Sequence, residues 1–168
     1  MKSLIRIVVP AILSLGVVAG DAAAQTPPLT LQVYNADGAS FHVNATLVSG
    51  KTEAVLLDTG FTRADAYRIA AMVLDSKKTL KTIYISQADP DFYFGAEVLR
   101  QIFPEARLVA SAPTVKKIEA TLVTKLQVWG PRLGANAPKQ VPIPEVMSGN
   151  TMSLEGQVLE VRGLEDSL

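Results

Sequence analysis

Phe41, Val43, Ala45 and Leu47 alternate with His42, Asn44 and Thr46. That period of two predicts a half-buried strand over 41–48. A second strand-like run, 29–35, precedes it, and the turn signal Ala36-Asp37-Gly38 between the two makes them a hairpin. A third strand, 53–58, follows Ser49-Gly50. From Thr62 the period lengthens: Ala66, Ile69, Ala70, Val73 and Leu74 recur on one helical face, and Thr62 with Asp65 gives a capping-box start, so a helix is expected over Arg63–Asp75. A strand at 81–85, a short helix at Ala96–Ile102 stopped near Pro104, and a strand at Arg107–Ala110 come next. Pro113 then opens a helix over 113–129 whose buried stripe runs through Val115, Ile118, Leu122 and Trp129.

This order of elements is that of an α/β fold in which helices cover a mixed sheet, with 81–85 as its buried central strand. Residues 130–147 interrupt it with Pro131, Pro138, Pro142 and Pro144, and read as a long loop, functional or mobile. A last pair of strands is expected at Thr151–Leu154 and 157–161.

The N-terminus changes the picture. Lys2 and Arg6 precede an apolar stretch, 7–19, that is short for a bilayer span, and Ala22-Ala23-Ala24 follows it. Residues 1–24 therefore read as a signal peptide cleaved before Gln25, which implies a periplasmic or secreted protein with no membrane span after cleavage. Cleavage removes Lys2, Arg6 and Asp21 from a chain of 16 basic and 16 acidic side chains, leaving it almost neutral. A neutral chain has no electrostatic footprint for nucleic acid, so a small molecule or a protein is the expected partner. There is no cysteine, so stability rests on a packed core.

Most chemical motifs are excluded. Ala45 to Thr52 comes within one glycine of a phosphate-binding loop, but it runs from strand into strand, whereas that loop needs a helix behind it. A hairpin turn is the better reading. His42, the single histidine, lies on the polar face of its predicted strand and reads as solvated. Asn44-Ala45-Thr46 matches a glycosylation tripeptide of a kind common by chance. One histidine and no cysteine leave little material for a nucleophilic triad.

The informative stretches are Val55-Leu56-Leu57-Asp58-Thr59-Gly60 and Ile83-Tyr84-Ile85-Ser86-Gln87-Ala88-Asp89-Pro90-Asp91-Phe92-Tyr93-Phe94-Gly95. Together they resemble the metallo-β-lactamase superfamily, in which a strand ending in Asp-x-Gly, a helix, and a strand entering T-H-x-H-x-D-H are followed by a glycine. Asp58, Gly60 and Gly95 match the structural positions. The resemblance covers about 29–161 and implies the N-terminal half of an αββα sandwich over 25–168, incomplete at its C-terminal end. It also implies zinc as the family's metal, yet Gln87, Asp89 and Phe92 stand at histidine positions and Leu164 at that of a further ligand. Asp91 alone is unchanged.

Gln87, Asp89 and Asp91 make an oxygen-only candidate metal set, suited to magnesium, calcium or manganese rather than zinc, with Asp91 the candidate catalytic ligand or base. The competing reading is a turn at Asp89-Pro90-Asp91 whose carboxylates accept backbone N–H groups. No cofactor is firmly expected. Three functions remain open: a ligand- or partner-binding or inactive relative of the metal-dependent hydrolases, a hydrolase with an oxygen-rich metal site, or a half-domain subunit whose bare sheet face another chain covers.

Overall fold

The computed structural model describes residues 28–163, so the expected signal peptide and the position of Leu164 lie outside the described residues. Six strands form one sheet in sequence order: β1 (Thr30–Asn35), β2 (Asn44–Ser49), β3 (Glu53–Leu57), β4 (Thr79–Ile85), β5 (Arg107–Ala110) and β6 (Glu145–Val146). The first three are antiparallel neighbours, and β3 to β6 are parallel. Parallel neighbours need crossovers, which are supplied by α1 (Arg63–Asp75), by α2 (Pro90–Tyr93) with α3 (Ala96–Ile102), and by α4 (Ala112–Leu133). A separate hairpin, β7 (Thr151–Leu154) and β8 (Gln157–Glu160), follows.

Because successive side chains in a strand alternate between faces, the sheet has two apolar surfaces. Leu47, Leu56, Ile83 and Leu108 join the main core with Ile69 and Val73 of α1, Leu99 of α3 and Ile118 of α4. On the opposite face the hairpin sets Leu154 against Val48 and Val55, and Met152 beside Tyr84 and Val109. Leu154 is fully buried, worth about 2 kcal/mol of transfer free energy. Leu31 and Val33, register partners of Val48 and Thr46 on the edge strand, stay 69% and 55% exposed.

The capping box at α1 forms as expected: Asp65 N–H donates to Thr62 Oγ1 at 3.0 Å and Thr62 N–H donates to Asp65 Oδ2 at 3.1 Å. Asp65 also accepts the hydroxyls of Ser40 (2.6 Å) and Tyr34 (2.7 Å). Burial alone would raise its carboxyl, but these hydrogen bonds outweigh burial and hold it below the usual range.

Several expected boundaries move. The strand expected over 41–48 begins at Asn44, because a 3-10 turn at Gly38–Ser40 intervenes and Phe41 and His42 are left-handed, with φ of 58° and 57°. Asp37 directs this turn: its side chain accepts Ala39 N–H at 2.9 Å, and its carbonyl accepts the N–H groups of Ser40 and His42. The third strand ends at Leu57 rather than 58, since Asp58 has φ of 64°. The fourth begins at Thr79 rather than 81, and the last ends at Glu160.

The final helix continues past Trp129, through Pro131, to Leu133. Trp129 and Leu133 pack on the main core, and the Arg132 guanidinium lies 5.0 Å from the Trp129 ring centre, so packing carries the last turn over the proline. Residues 130–147 are accordingly not one long loop. They contain the end of α4, a 3-10 turn at Gly134–Asn136 and β6. Glu97 ties them down by accepting Lys139 N–H at 3.0 Å and Gln140 N–H at 3.3 Å, while pairing with Arg63 at 2.9 Å.

Gly50-Lys51-Thr52 forms the turn between β2 and β3, as the strand-to-strand context requires. It nevertheless grips a carboxylate. Glu155, at the tip of the β7–β8 hairpin, accepts from Lys51 N–H, Thr52 N–H, Thr52 Oγ1–H and Glu53 N–H at 2.5–2.9 Å. These bonds, led by the Thr52 hydroxyl, hold the Glu155 carboxyl at about 2 and latch the hairpin tip to the sheet.

Candidate functional site

Where β3 and β4 end side by side, the chain makes two turns that interlock. After β3, Asp58 N–H donates to Tyr84 O at 2.8 Å, and Thr59 donates from both its amide (2.8 Å) and its hydroxyl (3.0 Å) to Phe92 O. Gly95 N–H in turn donates to Gly60 O at 3.0 Å. Gly60 needs its missing side chain, because φ is 82° and a Cβ would come within 3.0 Å of Asp65 and Ile69 side-chain atoms. At Gly95 a Cβ would fall 2.0 Å from Thr59 O. Asp58, Gly60 and Gly95 are thus brought together as one backbone clasp.

Asp58 is 7% exposed and accepts two hydrogen bonds from Ser86, from N–H to Oδ1 and from Oγ–H to Oδ2, each 2.8 Å. Burial pushes its carboxyl up to about 7 against the pull of both Ser86 bonds, and the charge of Asp91 adds to the push. Burial also raises Asp91, helped by Asp89 and opposed by its own backbone N–H and by Lys125. Tyr84 is raised by burial and then by the nearby Asp58 charge.

These groups line a cleft of about 760 Å³ between the sheet and the β7–β8 hairpin. Its polar end is built from Asp58, Ser86 and Asp91, at the C-terminal ends of parallel strands, where open α/β sheets commonly receive ligands. Its walls are Val48 and Leu57 of the sheet and Met152, Val158, Leu159 and Val161 of the hairpin segment. His42 lines it too, from the left-handed turn and not from a strand face.

Among the candidate metal ligands, Asp91 faces this cleft; Gln87 and Asp89 are exposed and are not part of its lining. Asp89 precedes α2 without capping it and pairs with Lys125 Nζ at 3.3 Å, while Lys125 also donates to Ala88 O. Asp89-Pro90-Asp91 therefore starts a helical turn, with Asp89 held by a lysine and not by backbone amides. Among the described residues no three of His, Cys, Asp and Glu converge closely enough to hold a metal ion. Zinc does not fit the donors present: Gln87 offers an exposed amide, Asp89 a carboxylate paired with Lys125, and Phe92 a phenyl ring.

Sequence reasoning missed Ser86, Lys125 and the hairpin wall. Ser86 carried a local signal, a hydroxyl one residue beyond a strand end. Lys125 lies 36 residues from Asp89 and carried none.

No protein-family model and no curated protein matches the chain. Solved structures do. One is a metallo-β-lactamase from Pontibacter korlensis, with a TM-score of 0.51 and 20% identity over 79% of this chain and 54% of that one. Another is the BLEG-1 B3 metallo-β-lactamase, with a TM-score of 0.59 and 13% identity over 78% of this chain and 59% of that one. The fold is that of the metallo-β-lactamases. The chain spans between half and three fifths of the length of these two structures. In this chain the clasp joins Asp58, Gly60 and Gly95, and the segment that follows β4 carries Gln87, Asp89 and Phe92.

Proposed function

We propose that this chain is an exported binding domain of metallo-β-lactamase fold, in which a ligand cleft stands where the resemblance implies a zinc centre. The observation that carries the reading is the cleft itself: apolar walls closing on Asp58, Ser86 and Asp91, without an imidazole set to orient a metal. Its volume suits a small molecule of drug size, and its mix of apolar wall and few polar groups is that of a ligand site. Export rests on the sequence of residues 1–24. N-terminal sequencing of protein from the exported fraction is expected to begin at Gln25, and a start at Met1 would remove that part of the reading.

Metal analysis and a neutral probe test the cleft together. The purified chain is expected to hold far less than one zinc per molecule, and mild chelation is expected to leave its melting curve unchanged. Asp91→Ala should shift stability by no more than about 0.5–1 kcal/mol, since Asp91 is partly exposed and bonded only locally. Octyl glucoside below its micelle concentration should bind by calorimetry, and Val158→Trp, which puts a large ring at the mouth, should abolish that binding. Stoichiometric zinc that is lost in Asp91→Ala would replace this reading with the hydrolase one.

A further inference from the structure

The cleft has a charge pattern that selects among small molecules. Asp58 and Asp91 lie together at one end, and no lysine or arginine is among the described residues that line the cleft. The cations near it lie outside that lining. Lys125 is held against Asp89 Oδ1 and Ala88 O, and Arg162 donates to Glu160 Oε2 through Nε at 3.0 Å and Nη2 at 2.8 Å. Glu160, the third carboxylate of the lining, is paired with Arg162. An anionic ligand entering here would meet the Asp91 carboxylate, whose charge Lys125 offsets only from outside the lining, beside an Asp58 whose burial favours its neutral form, and like charges that are not neutralised repel.

Three aromatic residues share the lining with the acidic ones. Phe41, Tyr84 and Phe92 all line the cleft, and aromatic faces attract ammonium groups most strongly where water is excluded. The rest of the wall, Val48 and Leu57 on the sheet and Met152, Val158 and Leu159 on the hairpin, offers only apolar side chains to the body of a ligand.

We propose that the cleft takes a cationic amphiphile, with its ammonium head between Asp58, Asp91 and the aromatic rings and its apolar tail between sheet and hairpin. This assignment rests on the binding-domain reading above and names the ligand chemistry of the same cleft. It is the charge opposite to that of a carboxylate- or phosphate-bearing substrate.

Calorimetric titration of the full chain with three probes of equal tail length, all below micelle formation, tests it: octyltrimethylammonium, octyl glucoside and octanoate. The ammonium probe is expected to bind about tenfold more tightly than the glucoside or better, equivalent to about 1.4 kcal/mol, and octanoate more weakly than both. Asp91→Asn should bring the ammonium probe to the level of the glucoside measured on the same variant, and a melting curve close to the parent's shows that the variant is folded. Equal binding of all three probes, tighter binding of octanoate, or an ammonium preference that survives Asp91→Asn would each overturn the assignment while leaving a ligand cleft in place. Absence of binding by every probe would overturn the cleft reading as well.

Discussion

Replacing Gly95 by alanine is expected to cost about 3 kcal/mol or more, a large share of a typical folding stability of roughly 5–15 kcal/mol. The added Cβ would lie 2.0 Å from the Thr59 carbonyl oxygen and 2.8 Å from its carbon, both backbone atoms. A flexible side chain could swing aside, but this backbone is fixed from three directions. Thr59 N–H and Oγ1–H are bonded to Phe92 O, Asp58 N–H to Tyr84 O, and Gly95 N–H to Gly60 O. Relief of the clash must therefore part the two turns, and with them the start of α3 and the floor of the cleft. Guanidinium denaturation of Gly95→Ala beside Gly38→Ala measures it. Gly38 is the matched control, because a Cβ there meets only His42 ring atoms at 3.4 Å and beyond, so its variant should stay within about 0.5 kcal/mol of the parent. A Gly95→Ala protein that also stays within about 1 kcal/mol would mean that the two turns do not hold each other as described.

The three glycine and aspartate positions of that clasp were marked by the resemblance, not by local pattern. Local pattern sufficed for α1, where a change of period coincides with the Thr62/Asp65 capping box, and for Ala96–Ile102 and Arg107–Ala110, whose observed bounds are the expected ones. Elsewhere long-range contacts outweighed local pattern. Phe41 and Val43 continue the alternation of β2, yet Asp37 turns the chain and Ser40 is drawn to Asp65, 25 residues away. The proline-rich stretch after α4 contributes a sheet strand because Glu97, more than 40 residues upstream, holds its amides. The site divides in the same way. Asp58, Gly60 and Gly95 could be placed by resemblance, whereas the pairing of Asp89 with Lys125 and the wall supplied by the hairpin depend on residues brought together only by folding.

The stability of the protein is expected to carry a pH dependence that belongs to Asp58. Its carboxyl has a pKa of about 7 in the fold against 3.8 for the free side chain, chiefly because burial disfavours the charge. Between these values the folded state binds more protons than the unfolded one, so the free energy of unfolding falls as pH rises. The contribution is fully present below about pH 4, declines through the window up to about 7, and is flat above it. At about 1.4 kcal/mol per pKa unit its ceiling is on the order of 4 kcal/mol. Asp65 and Glu155, whose carboxyls are lowered, work in the opposite sense, adding stability above the unfolded pKa that is lost as pH falls. The whole-protein curve is a sum of these, so a difference measurement is needed. Asp58→Asn keeps the shape, can still accept the Ser86 amide, and does not titrate. Relative to the parent it should gain on the order of 2–4 kcal/mol in going from about pH 5 to about pH 8. Ser86→Ala, which removes one of the two donors that favour the charged form, should move the midpoint of the parent's decline to higher pH. A pH-independent difference between Asp58→Asn and the parent would show instead that the two Ser86 bonds outweigh burial and keep Asp58 ionised, as a carboxylate held by two donors can be.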